Sequence, residues 1–229
     1  RQWYPVASVV TQEAIPSMAA GYPYKCKALM LYTFNPAYTQ PNTQGVKDAM
    51  TKKDGNSYAI PLVVSCSIFM DETAALSDYI LPDSTYLERY SLPFTSYPTL
   101  KTKAATIRRP VIGSYKDITV EGRSARVYIP DGSSLDGSSF GSVDELLEAW
   151  SGPMPYDEQL IQMAKKLTIP NFGADGMVTG KHLDTAYQFW DETLALGDFP
   201  NGLGDEGASG SPGDSTESYM TMGGRWENP

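Results

Sequence analysis

Residues 62–89, LVVSCSIFMDETAALSDYILPDSTYLER, constrain the fold more than any other stretch of the chain. An apolar run ends in small hydroxyls and an acid, an alanine-rich turn follows, and a second short apolar run stops at Pro82. A strand that ends in small polar residues beside a helix N-terminus offers backbone N–H groups and a positive dipole end to an anion or a polar base. Upstream, residues 27–34 (KALMLYTF) form another compact apolar run that stops at Asn35-Pro36, which reads as a buried strand ending in a turn. Residues 42–53 read as a helix with Val46, Ala49 and Met50 on one side, closed by Asp54-Gly55. Strands at 60–66 and 79–81 and a helix at 71–78 complete the series. This alternation predicts an α/β fold with a mostly parallel sheet and crossover helices.

Beyond residue 90 the chain changes character. Residues 90–141 are rich in Ser, Thr, Tyr, Pro and Gly and predict an excursion containing a β-hairpin, with 118–120 against 126–128. A helical and irregular extension follows. Ser142 with Glu145 forms a capping-box pattern, and Val143, Leu146, Leu147 and Trp150 share one helical face. Residues 156–167 predict a second helix with Leu160, Ala164 and Leu167 inward, and 183–194 a third carrying Leu183, Ala186, Tyr187, Trp190 and Leu194. The apolar faces at 143–150 and 183–194 are expected to need partners from outside the chain. Residues 197–216 read as a Gly/Ser/Asp-rich loop and 219–222 as a short extended piece. The expected organisation is one α/β segment over 1–170, with the insert at about 90–141, and an extension over 171–229.

Twenty-seven acids against 18 bases give a net charge of −9, which argues against nucleic acid or an anionic membrane surface as the main partner. No apolar stretch approaches the roughly 18 residues of a membrane span. The first residues, RQWYPVASVV, lack the order of a signal peptide, and the chain reads as a piece of a larger polypeptide. Cys26 and Cys66 read as buried free thiols; with no CxxC and a single histidine, His182, no zinc or iron–sulfur site is expected within the chain. Neither a catalytic nor a metal-ligating residue is assigned. Glu72 reads as a first-turn acid, Asp78 as a partner for an arginine, and Arg108, Arg109, Arg123 and Arg126 as solvated cations pairing with the acidic surface. There is no Walker loop, which disfavours nucleoside triphosphate chemistry.

Three separated segments, in order, resemble the large subunits of the molybdopterin (dimethyl sulfoxide reductase) oxidoreductases. They are LMLYTFNPAYTQPN with its Asn35-Pro36 turn, the 62–89 phrase, and the tail YMTMGGRWE at 219–227. The tail, with PNFGADG at 170–176, resembles the branch holding tetrathionate, thiosulfate and arsenate reductases. The resemblance implies that this stretch holds molybdopterin guanine dinucleotide carrying molybdenum or tungsten. It implies that Thr33, Phe34, Asn35 and Pro36 approach one guanosine or its phosphates, and that Ser65, Ser67, Phe69, Asp71 and Thr73 form the adjoining wall. Ser67 stands where many relatives carry aspartate, and Asp71 where they carry threonine. A 4Fe-4S cluster, the metal ligand and a β-barrel domain are implied for parts of the subunit outside this chain. The implied partners are the rest of the large subunit, an iron–sulfur electron-transfer subunit with a membrane anchor, and a small oxyanion substrate; the implied location is periplasmic. The competing class is a non-enzymatic α/β module that binds a partner or a small polar ligand.

Overall fold

The computed structural model describes residues 11–89, 102–104, 110–129, 135–196 and 225–227. The chain forms two compact units, Arg1–Asp83 and Ser84–Pro229.

In the first unit, α1 (Ala14–Ala19) precedes β1 (Leu29–Tyr32), α2 (Pro36–Thr39) and α3 (Thr43–Thr51). A small hairpin of β2 (Lys53–Asp54) and β3 (Ser57–Tyr58) leads to β4 (Val63–Ser67), a 3-10 turn (Ala74–Leu76) and β5 (Tyr79–Pro82). The strands form one sheet in the order β1-β4-β5. Both pairings are parallel, with Leu29 opposite Val63 and Val64 opposite Tyr79. The parallel α/β sheet expected from the alternating pattern is therefore present. Its core joins Leu29, Leu31 and Val63 from the strands to Ile15, Val46 and Met50 from the helices, with Ile60 beneath. Burying side chains of this size contributes roughly 1.5–3 kcal/mol each.

Local chemistry sets the element boundaries. Asn42, at φ +59°, caps α3 by accepting from Gly45 N–H at 3.2 Å. A Cβ at Gly45 would lie 2.3 Å from the Asn42 amide nitrogen, so a side chain there would push the capping amide aside. The helix ends at Thr51, short of the expected boundary, because Lys53 and Asp54 pair with Tyr58 and Ser57. The helix expected at 71–78 is only the 3-10 turn Ala74–Leu76, since Ser77 N–H and Leu76 N–H already bond back three residues.

The second unit contains β6 (Thr102–Ala104), β7 (Ser114–Val120), β8 (Arg123–Ile129), β9 (Ser139–Phe140), α4 (Val143–Ala149), α5 (Tyr156–Lys166), α6 (Ala186–Leu196) and β10 (Arg225–Glu227). β6 pairs antiparallel with β10, and β7 lies between β8 and β9. The expected hairpin forms in a different register: Ile118 faces Ala125, because the turn is only Glu121-Gly122. Both turn residues have positive φ, as two-residue hairpins of the I′ type need. Ser142 Oγ caps α4 at Glu145 N–H, while the Glu145 carboxylate reaches past it to Gly141 N–H at 2.6 Å.

Two expectations about the helices fail. Leu160 and Leu167 are 41% and 69% exposed; of the expected face only Ala164 is buried, and Glu158, Gln159, Ile161 and Gln162 turn inward in place of the leucines. The face of α4 finds partners inside the unit, where Leu146 joins Val120, Val127 and Phe140 with Trp150 against them; of the 183–194 face, Leu183 and Ala186 pack on Ile161, and the Leu194 side chain falls outside the described residues. Leu183 precedes α6 in a bridge to Gly173 rather than opening the helix. The expectations for 105–109, 197–216 and 219–222 fall outside the described residues.

Candidate functional site

The exits of β1 and β4 lie side by side, because Tyr32 is in register with Cys66 and Thr33 N–H continues the ladder to Cys66 O at 2.9 Å. Ligands of open parallel sheets sit beyond the carboxyl ends of the strands. All nine residues named from the resemblance lie on these two strand ends and their loops.

Thr33 leaves β1 with φ +46°, a conformation a β-branched residue adopts only under constraint from its surroundings. Phe34 is 40% and Phe69 73% exposed, so each exit loop presents one phenyl ring to its surroundings. Pro36 is buried at the first position of α2, where its missing N–H costs nothing. Ser65 and Ser67 are buried in β4; the Ser67 hydroxyl accepts from Phe69 N–H at 3.3 Å.

The loops are tied by side chains. Asn35 Oδ1 accepts from the Thr73 hydroxyl at 2.8 Å and from Thr73 N–H at 3.3 Å. Thr73 Oγ1 in turn accepts from Ala37 N–H at 3.0 Å, satisfying a donor in the first turn of α2. Asn35 Nδ2 donates to Glu72 at 2.7 Å, and this bond holds the Glu72 carboxyl below its usual range. Thr73 is fully buried. Glu72 is thus more than a first-turn acid. Asp78, expected to pair with an arginine, instead accepts from Val63 N–H at 2.7 Å and anchors the start of β4.

Asp71 Oδ1 accepts from Ala74 N–H at 2.8 Å and caps the 3-10 turn. Asp71→Ala should therefore lower stability by about 1 kcal/mol. Urea titration of the two proteins checks this, and an unchanged midpoint would show that the bond contributes nothing.

The backbone N–H groups of Phe34, Asn35, Ile68 and Met70 make no hydrogen bond among the described residues. Unpaired donors at both strand exits, flanked by exposed rings, suit a planar, acceptor-rich ligand such as a pterin or guanine, or a phosphate. The chain thus has a donor set that fits the cofactor the resemblance implies. Among the described residues no group of three His, Cys, Asp or Glu side chains could hold a metal ion.

The second unit holds a polar cluster that sequence reasoning missed. Asp184, fully buried, bonds Arg123 through two 2.8 Å contacts and Lys165 through another. Burial raises its carboxyl, but the Arg123 and Lys165 contacts outweigh that and hold it at about 2. His182 Nδ1 lies 2.9 Å from the same carboxylate. Arg123 is accordingly no solvated surface cation, whereas exposed Arg126 pairs with exposed Asp117 as expected. Nearby, Glu158 accepts from Ala186 N–H at 2.7 Å and Gln162 Nε2 at 2.5 Å, and burial pushes its carboxyl up to about 7. Asp157, likewise raised by burial, accepts from Trp190 Nε1 at 2.7 Å. These carboxylates border a cavity of about 20 Å³, room for little more than one water. Both Glu158 oxygens are committed to helix ends and helix contacts, so the cluster reads as the tie between α5 and α6. The only sequence signal was the i, i+4 pair Glu158 and Gln162 on the face opposite the leucines.

The parallel sheet and its joined exit loops coincide with the match to known proteins. Residues 6–96 match the molybdopterin oxidoreductase family model. Over this stretch the chain is similar to the molybdopterin oxidoreductases. The chain is 28% identical over 195 residues to a selenate reductase subunit from Mesobacillus selenatarsenatis, covering 85% of this chain and 16% of the relative. It is 28% identical over 172 residues to a tetrathionate reductase subunit from Salmonella typhimurium, covering 75% and 14%. It is 36% identical over 80 residues to the thiosulfate reductase molybdopterin-containing subunit of the same species, covering 35% and 10%. The chain thus spans about one-sixth or less of the length of these relatives, which are named as reductases.

Proposed function

We propose that this chain is part of the catalytic subunit of a molybdenum or tungsten oxidoreductase that reduces a sulfur, selenium or related oxyanion such as tetrathionate, selenate or arsenate. In this reading the stretch holds one molybdopterin guanine dinucleotide at the exits of β1 and β4. The observation that supports it most is the pairing of two exit loops, each carrying an exposed phenyl ring and unpaired N–H donors, at the carboxyl ends of a parallel sheet. The cofactor supplies the two-electron redox chemistry. The residues here bind and orient: the Phe34 and Phe69 rings offer stacking surfaces, and the free N–H groups of Phe34 and Ile68 donate to acceptor atoms. Electrons would come through a 4Fe-4S cluster elsewhere in the subunit from an iron–sulfur partner subunit with a membrane anchor, on the periplasmic side.

The test is the polypeptide containing this chain, purified from its native source. It should carry molybdenum or tungsten with a guanine-dinucleotide pterin, and oxidise a reduced dye with tetrathionate, thiosulfate, selenate or arsenate. Protein without pterin, inert toward all four, would favour the non-enzymatic binding module instead.

A further inference from the structure

We propose that Asn35 and Thr73 are positioning residues: their side chains clasp the two exit loops so that neighbouring donors meet the ligand, and do not touch the ligand themselves. The inference rests on the cofactor-holding reading above and narrows it.

Four bonds run in series, from Asn35 Nδ2 to Glu72, from the Thr73 hydroxyl and N–H to Asn35 Oδ1, and from Ala37 N–H to Thr73 Oγ1. The series joins residues separated by 36 to 38 positions in sequence. Its geometry fixes the amide: Glu72 accepts from Nδ2, which leaves Oδ1 to face both Thr73 donors. Thr73 has no exposed surface and its hydroxyl both donates and accepts within the clasp. Asn35, half-buried, has its oxygen and an amide proton committed as well. On each side of the clasp stand the groups with no hydrogen bond among the described residues, the N–H donors of Phe34 and Ile68, and the exposed rings of Phe34 and Phe69. Thr33, at φ +46°, gives the β1 loop a strained entry that would relax if the loop came free. The clasp therefore keeps two half-sites at one spacing, and a ligand that bridges them need not order them on binding.

The experiment uses the full polypeptide and measures the rate of pterin loss on dilution, with amide hydrogen exchange at residues 33–36 and 68–73. Thr73→Val keeps shape and removes the hydroxyl; it should speed pterin loss about tenfold, the effect of one lost buried bond. Thr73→Ser should restore the wild-type rate. Asn35→Asp places a carboxylate opposite Glu72 and should also speed loss, while adding Glu72→Gln returns a donor there and should slow it again. Val46→Ala, in the core under the same sheet, is the control for general loosening. The expected result is faster exchange and faster pterin loss in Thr73→Val than in Val46→Ala at equal distance below their melting temperatures. If wild type holds pterin and these two variants lose it alike, the clasp proposal is overturned alone. If wild type holds none, the cofactor reading fails and takes the clasp with it.

Discussion

Asp184→Ala should destabilise the second unit by about 3–5 kcal/mol, the usual consequence of removing one partner from a buried ion pair. The reason lies in what stays behind. Lys165, only 3% exposed at its side chain, would be left buried without this carboxylate, whereas Arg123, 22% exposed, keeps Glu121 at 2.7 Å, so most of the cost falls on the lysine. Asp184→Asn keeps acceptor geometry on one side and should cost less than the alanine variant. Denaturant titration followed by tryptophan fluorescence measures both. A loss under about 1 kcal/mol for Asp184→Ala, typical of exposed pairs, would show that the cations escape to solvent readily.

The pH dependence of the second unit should run opposite to ordinary acid denaturation over part of its range. Glu158 titrates at about 7 in the fold against 4.5 as its reference value. Below about pH 4.5 it is protonated folded or unfolded and carries no penalty. As pH rises toward 7 the unfolded chain gives up this proton and the folded one retains it, so stability falls, then levels off. The total is on the order of 3 kcal/mol. Asp184 acts in a separate window: depressed to about 2, it stabilises above its reference of 3.8, and that contribution vanishes as pH drops through 2. The unit should therefore be most stable near pH 4–5. Glu158→Gln should flatten the decline between pH 5 and 7. Parallel stability profiles for the two proteins across that interval would remove Glu158 as its source.

The first unit was legible because its signals were local and agreed. Apolar runs ended at Asn35-Pro36 and at Ser65–Ser67, and parallel pairing of such runs brings their exits together by geometry alone. What the residues did not announce was how the loops are joined: Asn35 and Thr73 meet through side-chain bonds across 38 positions, and no spacing rule marks such a pair. The α5 face was misread for a related reason. Leu160, Ala164 and Leu167 form as good a helical stripe as Glu158, Ile161 and Gln162, and burial of an acid is favoured only once the Ala186 N–H and the Gln162 amide are in place to receive it. Helix periodicity identifies the element; the partner groups, remote in sequence, decide which side faces in. The 71–78 segment erred in length because the one turn that Ala75 N–H closes on Asp71 O tightens at once into i→i−3 bonds, and β5 begins at Tyr79.

Cys66 lies in the middle strand of the first unit's sheet with no exposed surface, and Cys26, half-buried, donates its thiol proton to Ala28 O. Neither is bridged by a disulfide. The chain therefore carries two chemical clocks of different speed. A thiol reagent will modify Cys26 on the time of small local movements, but Cys66 only when β4 separates from a neighbour. The ratio of the two labelling rates reads the opening free energy of the sheet directly, in the native buffer and without denaturant. A ligand that bridges the strand exits would slow the second clock and leave the first untouched.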